Sequence, residues 1–233
     1  MRRPSVRRRS KRSGPEAASI LAGLAAQVNA RLPELLPAAD EEPRQVHRAM
    51  HYAATGQGKR LRPVLTLVVA DLFGTAGPNV LDLACAVEMV HACSLVLDDL
   101  PMMDDATLRR GRETTHRVFG EDVAVLASYG LLNRAYALVA ERAHRLSLER
   151  YTPEDLVHLL TEAVGSRGLV GGQALDLEST PADIDLERLE FIHSHKTGAL
   201  FTAAAELGAM AVDARRRDLA AVTRYAKNLG LAF

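Results

Sequence analysis

The stretch that decides the fold runs from Asn79 to Asp105, NVLDLACAVEMVHACSLVLDDLPMMDD. As far as Leu100 it is apolar on nearly every side of a helix, so other helices must wrap it. It then ends in acid: Asp98, Asp99, Asp104 and Asp105 fall within eight residues. A central apolar helix implies an all-α fold, a bundle built around that segment.

The flanking sequence supplies the other helices. Ile20, Leu21, Leu24, Val28 and Leu32 recur at helical spacing from Glu16 to about Leu36, and Pro33 and Pro37 close that segment. A second helix fits Pro43 to Thr55, ending at Gly56. A third follows Pro63 and ends near Gly74. Downstream, helices are expected over 121–145, 153–170, 186–208 and 214–229. No strand alternation, Asn-Gly hairpin or internal repeat stands out.

The 233 residues are 48% hydrophobic and 25% charged, enough for one domain with a sizeable core. Trp is absent and only 4% of residues are aromatic, which favours helices over sheets. Lys plus Arg equals Asp plus Glu at 29 each, but Arg2, Arg3, Arg7, Arg8, Arg9, Lys11 and Arg12 crowd the start. Without these seven, 22 basic residues face 29 acidic ones, so the body is acidic. Residues 1–15 read as a solvated, disordered basic tail and 16–233 as the domain. The tail interleaves no aromatics with its charges, so no specific nucleic-acid partner is expected. No run reaches the roughly 18 apolar residues of a spanning helix. Cys85 and Cys93 would lie about 12 Å apart along one helix, too far for a disulfide, which suits a reducing cytoplasm.

Four blocks carry chemistry. The first, Asp98 to His116 (DDLPMMDDATLRRGRETTH), packs carboxylates that repel one another unless a cation neutralises them. Hard oxygen ligands suit Mg²⁺, which completes its shell with water and phosphate. Arg109, Arg110 and Arg112 can clamp phosphate oxygens. Asp98 and Asp104 would sit about 120° apart on an unbroken helix, so Pro101 should break it and turn Asp104 back. The second block is GQGKRLRP, Gly56 to Pro63, with Lys59 and Arg62 expected on one helical face. It lacks the spacing of a P-loop. His91, seven residues before Asp98, shares that aspartate's face to within about 20°, although a histidine on an apolar helix is more often a core residue. The third block is GGQALDL, Gly171 to Leu177, with Gln173 and Asp176 on one face. The fourth is HSHKTGALF, His193 to Phe201, where Lys196 and Thr197 could reach a phosphate.

Taken in order, the four blocks resemble the trans-isoprenyl (polyprenyl) diphosphate synthase family, over most of the chain after about residue 45. The resemblance implies an isoprenoid-synthase helical bundle, Mg²⁺ as cofactor, and two substrates, isopentenyl diphosphate and an allylic diphosphate (dimethylallyl, geranyl or farnesyl). It implies that Asp98 and Asp104 hold the metal, and that Arg109, Lys196 and Thr197 bind the allylic diphosphate. Lys59, Arg62, His91 and Arg110 match the isopentenyl diphosphate pocket, and Gln173 and Asp176 match the catalytic pair beside the reacting carbons. Lys59 and Arg62 should therefore face Asp98 and Asp104 across a shared hollow. A homodimer is the expected assembly.

Product length is read, through the same resemblance, five residues before the first aspartate. Cys93 stands there, where farnesyl makers tend to carry a bulky aromatic, so a longer C20 geranylgeranyl product is expected. The alternatives are a farnesyl diphosphate synthase and a non-catalytic partner of a full-length synthase. Family members continue past KNLGLAF into a second aspartate-rich motif and further helices. The chain therefore reads as truncated, the bundle as incomplete at its C-terminus, and turnover as very slow.

Overall fold

The computed structural model describes residues 14–179 and 185–232. The basic tail expected at 1–15 lies outside the described residues as far as 13; Gly14 and Pro15 already belong to the first helix. The described residues form an all-α bundle: α1 (Gly14–Arg31), α2 (Arg44–Ala54), α3 (Leu61–Phe73), α4 (Pro78–Asp98), α5 (Thr115–Phe119), α6 (Glu121–Ala143), α7 (Pro153–Val164), α8 (Leu169–Glu178), α9 (Leu186–His193), α10 (Ala199–Ala211) and α11 (Arg216–Ala232). A 3₁₀ turn, Leu32–Leu35, follows α1, and a wide π turn, Ser194–Gly198, joins α9 to α10.

Helix α4 is the axis. Its most extensive partner is α6, and α1, α2, α3 and α10 close around it. Leu83, Ala84, Cys85, Ala86, Val87 and Met89 are fully buried. Pro78 opens it at a position where a missing N–H costs nothing. Two acidic residues are buried on it as well. Asp82 accepts from Arg31 of α1 (2.7 Å) and Arg142 of α6 (2.6 Å), and Glu88 accepts from Arg60 (2.5 Å). Burial alone would push the Asp82 carboxyl up; the two arginines more than offset it and hold it below the usual range.

Those neutralised acids bear on the spanning-helix expectation, which needs correction. Pro78–Asp98 and Glu121–Ala143 both reach the length and apolarity of a membrane span. Counting uninterrupted apolar runs missed them because Asp82 and Glu88 in α4, and Asn133 and Arg134 in α6, interrupt the run without interrupting the helix. Most of α4 is covered by neighbouring helices, as befits a core helix.

The elements differ from the sequence reading in several places, among them the expected 186–208 helix, which the π turn divides into α9 and α10, and the unexpected short α5. The segment expected at 153–170 divides into α7 and α8, because Gly165 and Gly168 leave helical geometry. α7 is fixed at its start by a reciprocal cap: Thr152 Oγ1 accepts from the Asp155 amide (3.2 Å) and the Asp155 carboxylate from the Thr152 amide (2.9 Å). α3 begins two residues before Pro63, which sits in the first turn where proline is tolerated. Finally, a small antiparallel hairpin, β1 (Leu108–Arg109) and β2 (Arg112–Glu113), was not expected. Its two-residue turn, Arg110-Gly111, has positive φ at both positions (53° and 78°), the geometry that matches strand twist. Two-residue strands are too short to show alternation.

Candidate active site

The acidic end of α4 is organised by its own backbone. Pro101 cannot continue the helix, and the chain curls back: the Asp104 amide donates to the Asp98 carbonyl (2.9 Å), Met103 and Asp105 to Leu100, and Ala106 to Asp99 (3.2 Å). The last carbonyls of α4 are thereby satisfied. Asp104 is brought beside Asp98, close enough to disfavour its ionisation. Burial first, and then the like charges of Asp104 and Asp99, push the Asp98 carboxyl up to about 6, opposed by Lys196 and Arg109.

The four aspartates are not equivalent. Asp99 is buried and ion-paired to Arg109. Among the described residues, the Asp98 and Asp104 side chains make neither a hydrogen bond nor an ion pair. Two open carboxylates fit Mg²⁺, which takes one or two protein oxygens beside water and phosphate. No cluster of three or more His, Cys, Asp or Glu with metal spacing occurs among the described residues, so a closed protein cage is not what this site offers.

A second compartment lies on the same side of α4. A hollow of about 890 Å³ is lined by Lys59, Arg62, His91 and Arg110, and by His193 and Thr197 from the far wall. Lys59 and Arg62 do not share a helical face, contrary to expectation. Arg60 has left-handed backbone geometry (φ 51°), so α3 starts only at Leu61 and Lys59 sits in the preceding loop. Arg62 lies over the Phe201 ring (4.5 Å to its centre) and donates to His91 Nε2 (3.3 Å). Its Nε is buried without a hydrogen-bond partner among the described residues. Burial, aided by Arg110 and opposed by Glu88, brings Arg62 down to about 10. Burial and the same cations hold His91 well below its ordinary value, so it is neutral, with Nε2 as acceptor. The compartment resists further positive charge, and the carboxylate among its lining residues, Glu88, is already paired with Arg60.

Neither Asp98 nor Asp104 is among the residues that line this hollow. Seven residues separate His91 from Asp98, about 10 Å along the axis. The expected shared hollow is therefore not what the structure shows: the cationic hollow and the Asp98 and Asp104 carboxylates occupy successive stretches of one helix. The hairpin stands between them: Arg109 reaches back to Asp99, Arg110 forward to the Gln57 carbonyl (2.7 Å), and Arg112 stacks over Tyr52 (4.1 Å). Thr197, assigned from sequence to the allylic side, lines the cationic hollow, and Arg109 is engaged by Asp99.

The remaining candidates meet at the π turn. Lys196 Nζ donates to Asp176 Oδ2 of α8 (2.5 Å), while its charge also reaches Asp98. α8 can approach because Gly172 has no side chain; a Cβ there would lie 2.2 Å from the Lys196 amide nitrogen. Three residues before Asp176, Gln173 has both amide atoms buried and without a hydrogen-bond partner among the described residues, an arrangement that costs free energy unless a ligand completes it. Wide turns of this kind are frequent at functional sites. Cys93 is separate from all of this, in the core beside Tyr136. Both cysteines are unpaired, and burial pushes each thiol up to about 12, too high for a nucleophile.

Residues 43–233 match the model of the polyprenyl synthetase family. The chain belongs to that family. Among its curated relatives, geranylgeranyl pyrophosphate synthase 11, chloroplastic, of Arabidopsis thaliana is 44% identical over 199 residues, 83% of this chain and 55% of the relative. The geranylgeranyl pyrophosphate synthase, chloroplastic, of Catharanthus roseus is 44% identical over 193 residues, covering 82% and 54%. Among solved structures, an FPP/GFPP synthase from Zymomonas mobilis superposes with a TM-score of 0.86 at 34% identity, over 93% of this chain and 78% of the other. The polyprenyl synthetase chain thus spans about half the length of the curated relatives it matches.

The sequence reading missed three residues of this polyprenyl synthetase site. Arg60 was in view in GKRLRP but not told apart from its neighbours. Glu88 and Asn29, its partners, carry no local signal at all.

Proposed function

We propose that the chain is a Mg²⁺-dependent prenyltransferase that condenses isopentenyl diphosphate with an allylic diphosphate to a short-chain product, geranylgeranyl diphosphate. The observation that carries this reading is the charge complementarity along α4: unpaired carboxylates at Asp98 and Asp104, and a predominantly cationic hollow reached by His91 about two helical turns earlier. Two diphosphates of different chemistry are what such a pair can hold. Family membership and relatives named as geranylgeranyl pyrophosphate synthases support the same reading.

Magnesium, held by Asp98 and Asp104, would neutralise charge on the departing allylic diphosphate. Lys196 is placed to add a cation there as the allylic C–O bond ionises. Lys59, Arg62 and Arg110 hold isopentenyl diphosphate by its diphosphate, leaving its alkene to attack the allylic cation. The proton lost afterwards goes to the released diphosphate. Gln173 and Asp176 flank the reacting carbons, and the surrounding helices exclude water that would quench the cation. No side-chain nucleophile is needed.

A homodimer is part of the proposal, supported by Leu126 and Tyr129, which leave apolar surface exposed on α6 (55% and 68%). Two relatives are themselves named as large subunits of heterodimeric synthases. The unpaired cysteines suit a reducing compartment such as the cytoplasm.

The test is calorimetric titration of the chain with isopentenyl diphosphate and farnesyl diphosphate in Mg²⁺, followed by incorporation of labelled isopentenyl diphosphate with each allylic primer. Saturable binding of both ligands at separate sites is expected, with a C20 product. Absence of diphosphate binding in Mg²⁺ would refute the proposal.

A further inference from the structure

We propose that Arg60 and Glu88 act as a positioning pair, locking the loop Gly56–Arg60 so that Lys59 and Arg62 converge on one diphosphate. This rests on the reading of the cationic hollow as the isopentenyl diphosphate site.

Arg60 sits between the two cations expected to bind substrate, yet it is unavailable for that task. Its side chain is 2% exposed and that of Glu88 3%. Each of its three guanidinium nitrogens donates: Nη1 to Glu88 Oε1 (2.5 Å), Nε to Asn29 Oδ1 (2.8 Å) and Nη2 to the Gly56 carbonyl (2.6 Å). One side chain therefore ties the loop to α4, to α1 and to its own start. The backbone at Arg60 is left-handed, a conformation that a residue with a Cβ keeps only where its surroundings over-determine it. That turn takes Lys59 off the α3 surface, and Lys59 and Arg62 both line the hollow.

The loop is held on its outer side as well. Arg110 donates to the Gln57 carbonyl, and its guanidinium lies so close to Gly58 that a Cβ there would meet Nη1 at 2.1 Å. The loop is clamped between a ligand-binding arginine and a structural one. A buried ion pair is poor evidence for stability, and its best-attested use is to specify an arrangement. Here the arrangement specified is the spacing of two phosphate-binding cations, and Glu88 neutralises the one arginine that would otherwise compete for the anion.

Glu88→Gln and Arg60→Lys test this on the full chain. The first removes the charge and keeps the shape; the second keeps the charge and removes the bonds to Asn29 and Gly56. Helicity and melting temperature certify the fold. Calorimetry with isopentenyl diphosphate, and separately with farnesyl diphosphate in Mg²⁺, gives the readout. Isopentenyl diphosphate should bind roughly ten-fold more weakly to Glu88→Gln, as expected for disturbing hydrogen bonds to charged groups. Farnesyl diphosphate affinity should change less than about two-fold, because the Asp98 compartment lies in another stretch of α4. Arg60→Lys should show the same selectivity at smaller size, and it decides the matter if Glu88→Gln does not fold. Folded variants that bind isopentenyl diphosphate as tightly as the parent would overturn the proposal. So would equal losses for both ligands with a lowered melting temperature, which would make the pair a stability element only. A parent chain that binds farnesyl diphosphate but not isopentenyl diphosphate would instead remove the assignment of the hollow, and the positioning role with it.

Discussion

Replacing Asp98 with Asn should make the metal-free protein more stable at neutral pH while abolishing its response to Mg²⁺ and diphosphate. Burial and the charges of Asp104 and Asp99 raise the Asp98 carboxyl to about 6. Its value in the unfolded chain is about 3.9. At about 1.4 kcal/mol per pH unit the difference corresponds to roughly 3 kcal/mol, and solvent screening of a side chain that is only half-buried reduces it to roughly 1 kcal/mol. The sign follows from the folded value lying above the unfolded one. Below about pH 4 the carboxyl is protonated in both states and carries no penalty; the penalty grows as pH rises and is complete above about pH 6. Urea unfolding of the parent and Asp98→Asn in EDTA at pH 7.5 and pH 4.5 measures this directly. The variant should be more stable by about 1 kcal/mol at pH 7.5, with the gap mostly closed at pH 4.5. Adding Mg²⁺ and inorganic diphosphate should then stabilise the parent and leave the variant unmoved. A variant less stable than the parent at pH 7.5, or a gap that ignores pH, would refute the account of Asp98 as an unneutralised, crowded acid.

Three further outcomes are expected. Gly58→Ala puts a Cβ 2.1 Å from Arg110 Nη1; the flexible guanidinium will move, so melting should barely change while isopentenyl diphosphate affinity, read by calorimetry, falls roughly three- to ten-fold. Asp82→Ala leaves Arg31 and Arg142 without their shared acceptor and should cost about 3–5 kcal/mol in denaturant unfolding, as for a broken buried pair. Cys93→Tyr should shorten the product in chromatographic analysis and, because Cys93 is buried in the core, lower stability by about 1–3 kcal/mol through overpacking; an unchanged C20 product would refute its role in length control.

How far the sequence could be read follows from the range of the forces involved. The path of α4 was legible because apolar residues on every side leave no orientation except the interior, and Pro101 marks the break after it. The return of Asp104 was legible for the same local reason. What escaped was carried by distant partners. Asp98 and Asp99 look alike on the page; only the fold leaves one half-buried and unpaired among the described residues and joins the other to Arg109. Arg60 and Glu88 are 28 residues apart, Asp82 and Arg142 are 60 apart, and no periodicity connects them. The π turn at Ser194–Gly198 has no residue preference that would announce it, and together with the close approach at Gly172 it brings Lys196 to Asp176. Lys59 was placed on a helix because three-residue spacing suggests one; the left-handed Arg60 between it and Arg62 is a consequence of its buried partners, which local propensity does not see.

The two acids at opposite ends of α4 divide the labour of one rod. Asp82 is moored by a pair of arginines, and Asp98, sixteen residues on and roughly 24 Å away, is left crowded and ungripped. The crowding is tolerable because the mooring that keeps the rod in place is remote from it, so the reactive tip can be redesigned without loosening its foundation. Substitutions at the two tips should consequently sum in their effects on unfolding, with no cross-talk between them.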